Sequence, residues 1–244
     1  MRDGPALLRA WAGVGVVAAV AAGAAAPNAG AHQPPVVRPT QELARLLTTH
    51  NVVSALTARD SHVRSVAAWR PITGEDTVLP VVGHATTADG VHWLRVMVPG
   101  RPNGTTGWIA RRGTVLMRTS WHIVVRTFSR RLLVYRRSRL VRSFTAIVGK
   151  PSTPTPHGRF FVEESVRMAP GSAGAPFALA LSARSNVLQE FEGGPGQIAI
   201  HGVANLGGAP GTAISHGCVR LANRRISWLA AHIAPGVPVD IARG

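Results

Sequence analysis

From residue 52 to residue 242 the apolar residues of this chain come in short runs of strand length, cut repeatedly by Gly, Pro, Asp or Asn. That punctuation leaves little room for helices. Runs at 77–82, 91–96 and 107–110 read as strands, broken by Asp89-Gly90 and by the loop at 99–104. Downstream, 121–128, 132–135 and 140–148 predict a meander, 160–162 and 177–181 add strands, and 197–201 is a short apolar strand ending on His201. The stretch 237–242 closes the chain as a last strand. One helix stands out: Asn223 is a suitable N-cap, Ile226, Leu229, Ala230 and Ile233 share a face, and Pro235-Gly236 stop it. Near the beginning, Thr40 is expected to cap a second, short helix with Leu43, Leu46 and Leu47 on one side. The expected class is therefore mainly β with one or two helices.

A chain of 244 residues has length for two modest domains. Arg2 and Arg9 precede an uncharged run at 11–26, followed by Pro27 and the small residues Ala29-Gly30-Ala31, so residues 1–31 read as a secretory signal or, if retained, an anchor. The region 32–51, with Pro34, Pro35 and Pro39, is expected to be a linker and the short helix. Export to the cell envelope follows from the signal. The balance of 27 basic against 11 acidic residues gives a net charge of +16, which draws polyanions of any kind, wall polymers and lipid surfaces included. No dense basic block with interleaved aromatics is visible along the sequence, which argues against nucleic acid.

An exported chain with one cysteine cannot form an internal disulfide, so Cys218 is either a small buried hydrophobe or a reactive thiol. Its neighbours favour reactivity. Thiolate at neutral pH needs a proton acceptor or a positive field, because a free thiol titrates at about 8.5. His201 lies far enough before Cys218 for a strand end and a returning loop to bring the two together. Gly217 permits a sharp turn, and amides around 216–218 are candidates to hold an oxyanion. His201, His216 and Cys218 are too few, at the wrong spacing, for a zinc site, and acyl transfer by a thiol needs no cofactor.

These residues resemble the L,D-transpeptidase catalytic domain. The resemblance rests on His201-Gly202 at a strand end, Ser215-His216-Gly217-Cys218-Val219-Arg220, Thr155-Pro156-His157-Gly158-Arg159-Phe160 with Gly149-Lys150 before it, and Asn223 with 235–239 after the cysteine. It covers residues 120–243 and implies a β-sandwich-like catalytic domain. It also implies Cys218 as nucleophile, His201 as general base oriented by the Gly202 carbonyl, and His216 shaping the site. Ser215 and Arg220 would contact substrate, Arg220 through its carboxylates. The implied partners are peptidoglycan stem peptides, with carbapenems as acylating inhibitors of Cys218. The implied reaction releases D-alanine from a tetrapeptide stem and forms a 3→3 cross-link; hydrolysis of the same thioester, an envelope-protein lysine as acceptor, and a non-catalytic wall-binding role are the alternatives. One departure is the turn Arg137-Ser138-Arg139, where the family often has Asp-Gly or Asn-Gly. Residues 52–119, through 93–96 and 107–109, resemble a bacterial SH3-like barrel that would bind wall peptide or position the enzyme.

Overall fold

The structure, a computed structural model, describes residues 35–56, 62–190 and 194–244. The predicted signal at 1–31 and the first part of the linker lie outside the described residues.

The first layer is a seven-stranded antiparallel sheet. Its strands are β1 (Gln41–Leu46), β2 (His50–Val53), β3 (His62–Val66), β4 (Val78–Thr86), β5 (His92–Met97), β6 (Thr106–Ala110) and β7 (Thr114–Thr119), ordered β3-β2-β6-β5-β4-β1-β7. The expected helix after Thr40 is thus corrected to a strand. Its Leu43 and Leu46 are spaced as on a helix face, but β1 lies between β4 and β7 and bonds to both. Leu43 and Ala44, consecutive and therefore on opposite faces, are both buried. A ladder on each side outweighs the mild helical preference of Glu, Ala, Arg and Leu. The first β layer therefore begins at Gln41, inside the stretch expected to be linker.

The second layer holds the meander β8 (Trp121–Arg126), β9 (Arg131–Arg136) and β10 (Arg139–Thr145). It continues with β11 (Val148–Gly149), β12 (Gly158–Arg167), β13 (Phe177–Arg184), β14 (Gln197–His201), β15 (Ala213–Ser215), β16 (Val219–Arg220), α1 (Asn223–Ala230) and β17 (Pro238–Ala242). Eight of these strands form one sheet ordered β10-β9-β8-β17-β12-β13-β14-β16, while β11 and β15 pair separately. The C-terminal strand does not close an edge: β17 inserts between β8, to which it is parallel, and β12. α1 packs Ile226 and Leu229 into the core shared by these strands. The β9–β10 hairpin turns through Arg137 and Ser138 at φ 50° and 61°, the mirror-image turn geometry that suits strand twist but that Asn and Gly adopt at less cost.

Residues Pro34–Gly244 form one compact unit. Phe161 of β12 belongs to the core of the first layer, packed with Leu46, Leu79 and Val96. Between the layers, Glu163 of β12 is buried against the Arg70 and Arg184 guanidiniums. Arg101 reaches the carbonyls of Ser185, Leu188 and Pro195, and Asn103 bonds to Arg184 through both backbone groups of that residue. These contacts fix the first layer to the loop that leads into β14.

Candidate active site

β14 and β16 run parallel, with Ile200 opposite Val219 and His201 opposite Arg220. Ile198, Ile200 and Val219 point into the core. By the two-residue period of a strand, Gln197, Ala199 and His201 share the other face, and Cys218 and Arg220 flank Val219 on that same side. Cys218 lies beside Ala199, whose amide donates to Sγ at 3.4 Å. Its place is thus two residues along the strand, about 7 Å, from His201. The thiol is half-buried.

The turn that delivers the thiol is tied from below. Ser215 is fully buried, its hydroxyl donates to the Cys218 carbonyl at 2.6 Å, and it accepts the Gly217 amide at 3.2 Å. The Ser215 carbonyl in turn accepts the Lys150 amide and the Thr153 hydroxyl, at 3.0 and 3.1 Å. Ser215, expected to contact substrate, is enclosed, and its hydroxyl staples the turn that carries Cys218. The Gly217 amide, expected among the oxyanion donors, is directed to that hydroxyl. Gly217 itself is needed for the turn, with φ at 119° and the Ile198 side chain 3.0 Å from where a Cβ would stand. The Gly149-to-Phe160 segment also finds its purpose as support: Thr155 is buried and accepts the Gly149 amide at 2.9 Å, which folds this segment under the turn.

His201 Nδ1 lies 2.8 Å from the Gly202 carbonyl. A carbonyl only accepts, so Nδ1 carries the proton and Nε2 presents its lone pair, the tautomer a general base requires. Burial holds the imidazole pKa below its ordinary value; the Gly202 bond pulls it up in part, and the positive charge of Arg220 pushes it further down. The ring stays neutral into mildly acidic solution. Arg220 donates to the Gly207 carbonyl at 3.0 Å, bracing the loop between β14 and β15. His216 is exposed at the turn.

Sequence reasoning missed two supports. The loop between β12 and β13 covers His201: the Gly202 amide donates to the Gly174 carbonyl at 2.7 Å, and a Cβ on Gly174 would stand 2.6 Å from Nδ1. Asn223 is not the N-cap of α1. Ala222 takes that position without a side-chain bond, while Asn223 Oδ1 accepts the Val203 amide at 2.9 Å and lies where a Cβ on Gly202 would come within 2.8 Å. Asn223 thus holds the backbone that orients the imidazole. Asn223→Ala is expected to lower kcat about tenfold with KM and melting temperature nearly unchanged, and Asn223→Asp, which keeps the acceptor, to restore most of it. A loss confined to thermal stability would leave Asn223 with no part in positioning. The signal for it was present in the sequence, since Asn at a helix start can cap the neighbouring loop as readily as its own helix.

Residues 120–241 match the YkuD family, the L,D-transpeptidase catalytic domain. This chain belongs to that family. It is 32% identical over 121 residues to the candidate L,D-transpeptidase YkuD of Bacillus licheniformis, covering 50% of this chain and 65% of that protein. It is 28% identical over 148 residues to the Bacillus subtilis protein of the same name, covering 61% and 74%. Among solved structures it is similar to L,D-transpeptidase 3 from Mycobacterium tuberculosis in complex with a faropenem-derived adduct, with 16% identity, a TM-score of 0.41, and 66% of this chain and 93% of that one covered. The family match ends at the second β layer. The first layer is a seven-stranded sheet to which the match does not extend.

Proposed function

We propose that this L,D-transpeptidase family member is an exported acyltransferase acting on peptidoglycan stem peptides through Cys218. The observation that carries the reading is His201 Nδ1 on the Gly202 carbonyl, which leaves a basic Nε2 on the face of β14 that Cys218 also occupies. His201 takes the thiol proton, and Sγ attacks the carbonyl of the third stem residue. The C–N bond to the terminal D-alanine breaks, and the proton held by His201 leaves with its amine. The side-chain amine of a second stem then attacks the thioester, giving its proton to His201 as the thiol is released, and a 3→3 cross-link results. Arg220, whose Nε is buried and unbonded, is suited to a substrate carboxylate. The first layer, read as SH3-like, would hold the enzyme rather than bind wall peptide. Its arginine and asparagine contacts to the 184–195 region favour that part of the reading.

The test is incubation with a purified disaccharide tetrapeptide followed by mass analysis. Release of D-alanine with a cross-linked dimer is the expected result. Free tripeptide without dimer makes water the acceptor, and an unchanged tetrapeptide removes the reading. The imidazole gives a pH prediction with a definite sign. Because burial and Arg220 both lower its pKa, the acylation rate should hold as pH falls through the ordinary histidine range and decline only below it. Arg220→Gln removes one of the two lowering influences, so its acid limb should move to higher pH while KM rises. Acylation rates across pH for both proteins check it; coincident acid limbs would separate Arg220 from the base.

A further inference from the structure

The tertiary structure assembles a row of guanidiniums that runs down the β9–β10 hairpin from its tip and onto α1. Arg136 and Arg139 stand directly opposite each other, and Arg142 stands opposite Val134, two residues along β9. The same register sets Trp121 opposite Arg136 and Phe144 opposite Leu132, so these residues share one face of the sheet, the face that packs with α1. The Arg136 guanidinium lies 5.1 Å over the Trp121 ring, that of Arg142 lies 5.1 Å over Trp228, and that of Arg225 of α1 lies 5.8 Å over Phe144. Positive charge therefore recurs along this face at intervals of about 7 Å, the spacing of alternate residues on a strand. At the tip, Arg136, Arg137, Arg139 and Val141 wall a cleft of about 530 Å³. Arg137 holds a left-handed position there that Asn or Gly would take at less cost. Among the described residues the side chains of Arg136, Arg137 and Arg139 join no hydrogen bond or ion pair, and residues 121–145 and α1 contain no Asp or Glu.

We infer that this row binds a linear, ring-free phosphate polymer of the polyol-phosphodiester class, with successive phosphates on successive guanidiniums. Charge complementarity selects an anion. The five arginines are exposed and have no acid among them, and a guanidinium held flat on a ring keeps its N–H edge for two oxygens of one phosphate. The row selects a polymer over a single ion, because Arg142 and Arg225 carry the charge beyond the cleft at the tip. The rings select against bases and sugars. Trp228 carries His232 stacked at 4.2 Å as well as Arg142, Trp121 lies under Arg136, and the two indoles meet edge to face at 6.1 Å. Their faces are already covered, so a base or a pyranose finds little to stack on. The register selects against a bilayer. Leu140, the exposed apolar residue of the hairpin, pairs with Tyr135 and lies on the opposite face of the sheet, which leaves the arginine face with no exposed apolar side chain to immerse. None of these arginines belongs to the site around Cys218, so a polymer seated here does not compete for that site.

The test needs no turnover, so it stands apart from the catalytic proposal. The probe is poly(glycerol phosphate) end-labelled with fluorescein, titrated with the full-length protein and read by anisotropy. Arg136→Gln, Arg139→Gln and Arg142→Gln together should weaken binding at least about tenfold. Arg95→Gln, Arg111→Gln and Arg112→Gln, exposed on the first layer, remove the same charge and should change it less than about twofold. An unchanged melting temperature shows that the first variant remains folded. If it melts early, Arg137→Gln with Arg139→Gln, neither of which stacks on a ring, should still weaken binding several-fold. Equal losses in the two triple variants overturn the inference, because binding would then follow the net charge of +16 rather than this row. So does polyglutamate that binds as tightly as the phosphate chain. Tighter binding of single-stranded DNA, or of phosphatidylglycerol vesicles, through the same arginines also overturns it, since the row would then have a different occupant.

Discussion

Cys218→Ala is expected to abolish both D-alanine release and the mass gained on incubation with a carbapenem, a loss of at least about a thousandfold in acylation. The structure allows the substitution without harm to the fold. The turn that carries Cys218 is held by the Ser215 hydroxyl on the Cys218 carbonyl and by the Lys150 and Thr153 bonds to the Ser215 carbonyl, none of which involves the thiol. The side chain is half-buried, and its contacts to the Ala199 amide at 3.4 Å and the Gln197 carbonyl at 4.0 Å are weak. Circular dichroism and melting temperature should thus match the parent while intact mass shows no adduct. An adduct that persists on the alanine variant would place the nucleophile elsewhere and remove the support for the mechanism. Because the parent has one thiol, oxidation with peroxide before the carbapenem should block the adduct as well, and a reductant should restore whatever fraction stopped at the reversible states.

The second large effect is on stability. Glu163 is 1% exposed and lies between Arg70 and Arg184, themselves 12% and 11% exposed. Burial pulls the pKa of both guanidiniums down, a sign of what desolvation costs them; for Arg70 the neighbouring Glu164 charge raises it in part and the Arg184 charge lowers it further. Glu163→Gln removes the carboxylate that pairs with both guanidiniums, leaving Glu164 as the remaining negative charge beside Arg70, and should destabilise by about 3–5 kcal/mol. For a unit of this size that lowers the melting temperature by about 10–15 °C. Glu163→Leu combined with Arg70→Met and Arg184→Met, which removes all three charges, should recover most of the loss. Activity should fall in Glu163→Gln even below its melting point, since Gln197 Nε2 donates to Glu163 Oε1 at 3.2 Å and Gln197 begins the strand that ends on His201. A thermal shift of less than about 3 °C would mean that solvent reaches the cluster and that the layers are not locked through it.

Much of the site was legible because its chemistry is local. A glycine that must turn, a cysteine after it and a histidine at the end of an apolar strand are written in consecutive residues, and the carbonyl that orients His201 belongs to the next residue. Asn223 was legible as a position and misread as a cap, and the hydrogen-bond partners of Ser215 were not visible in the sequence. A hydroxyl beside a nucleophile can face substrate or fold back, and only the enclosure of Ser215 shows that it folds back. An Asn at a helix start can cap its own helix or bond a neighbouring loop, and Val203, twenty residues away, decides which. The residues 41–46 failed for a related cause: their spacing suits a helix, and the competing ladders come from strands that the local sequence does not contain.

The sequence by itself determined the β class, the single convincing helix and the turn that presents the thiol, because turn residues and side-chain alternation act over a few positions. Tertiary structure alone decided that β17 enters the middle of its sheet, that β1 is a strand, that Glu163 joins two layers, and that arginines from β9, β10 and α1 stack on one set of rings. Each of these depends on groups far apart in the chain, and their meeting is set by the closing of sheets around two cores rather than by any local preference.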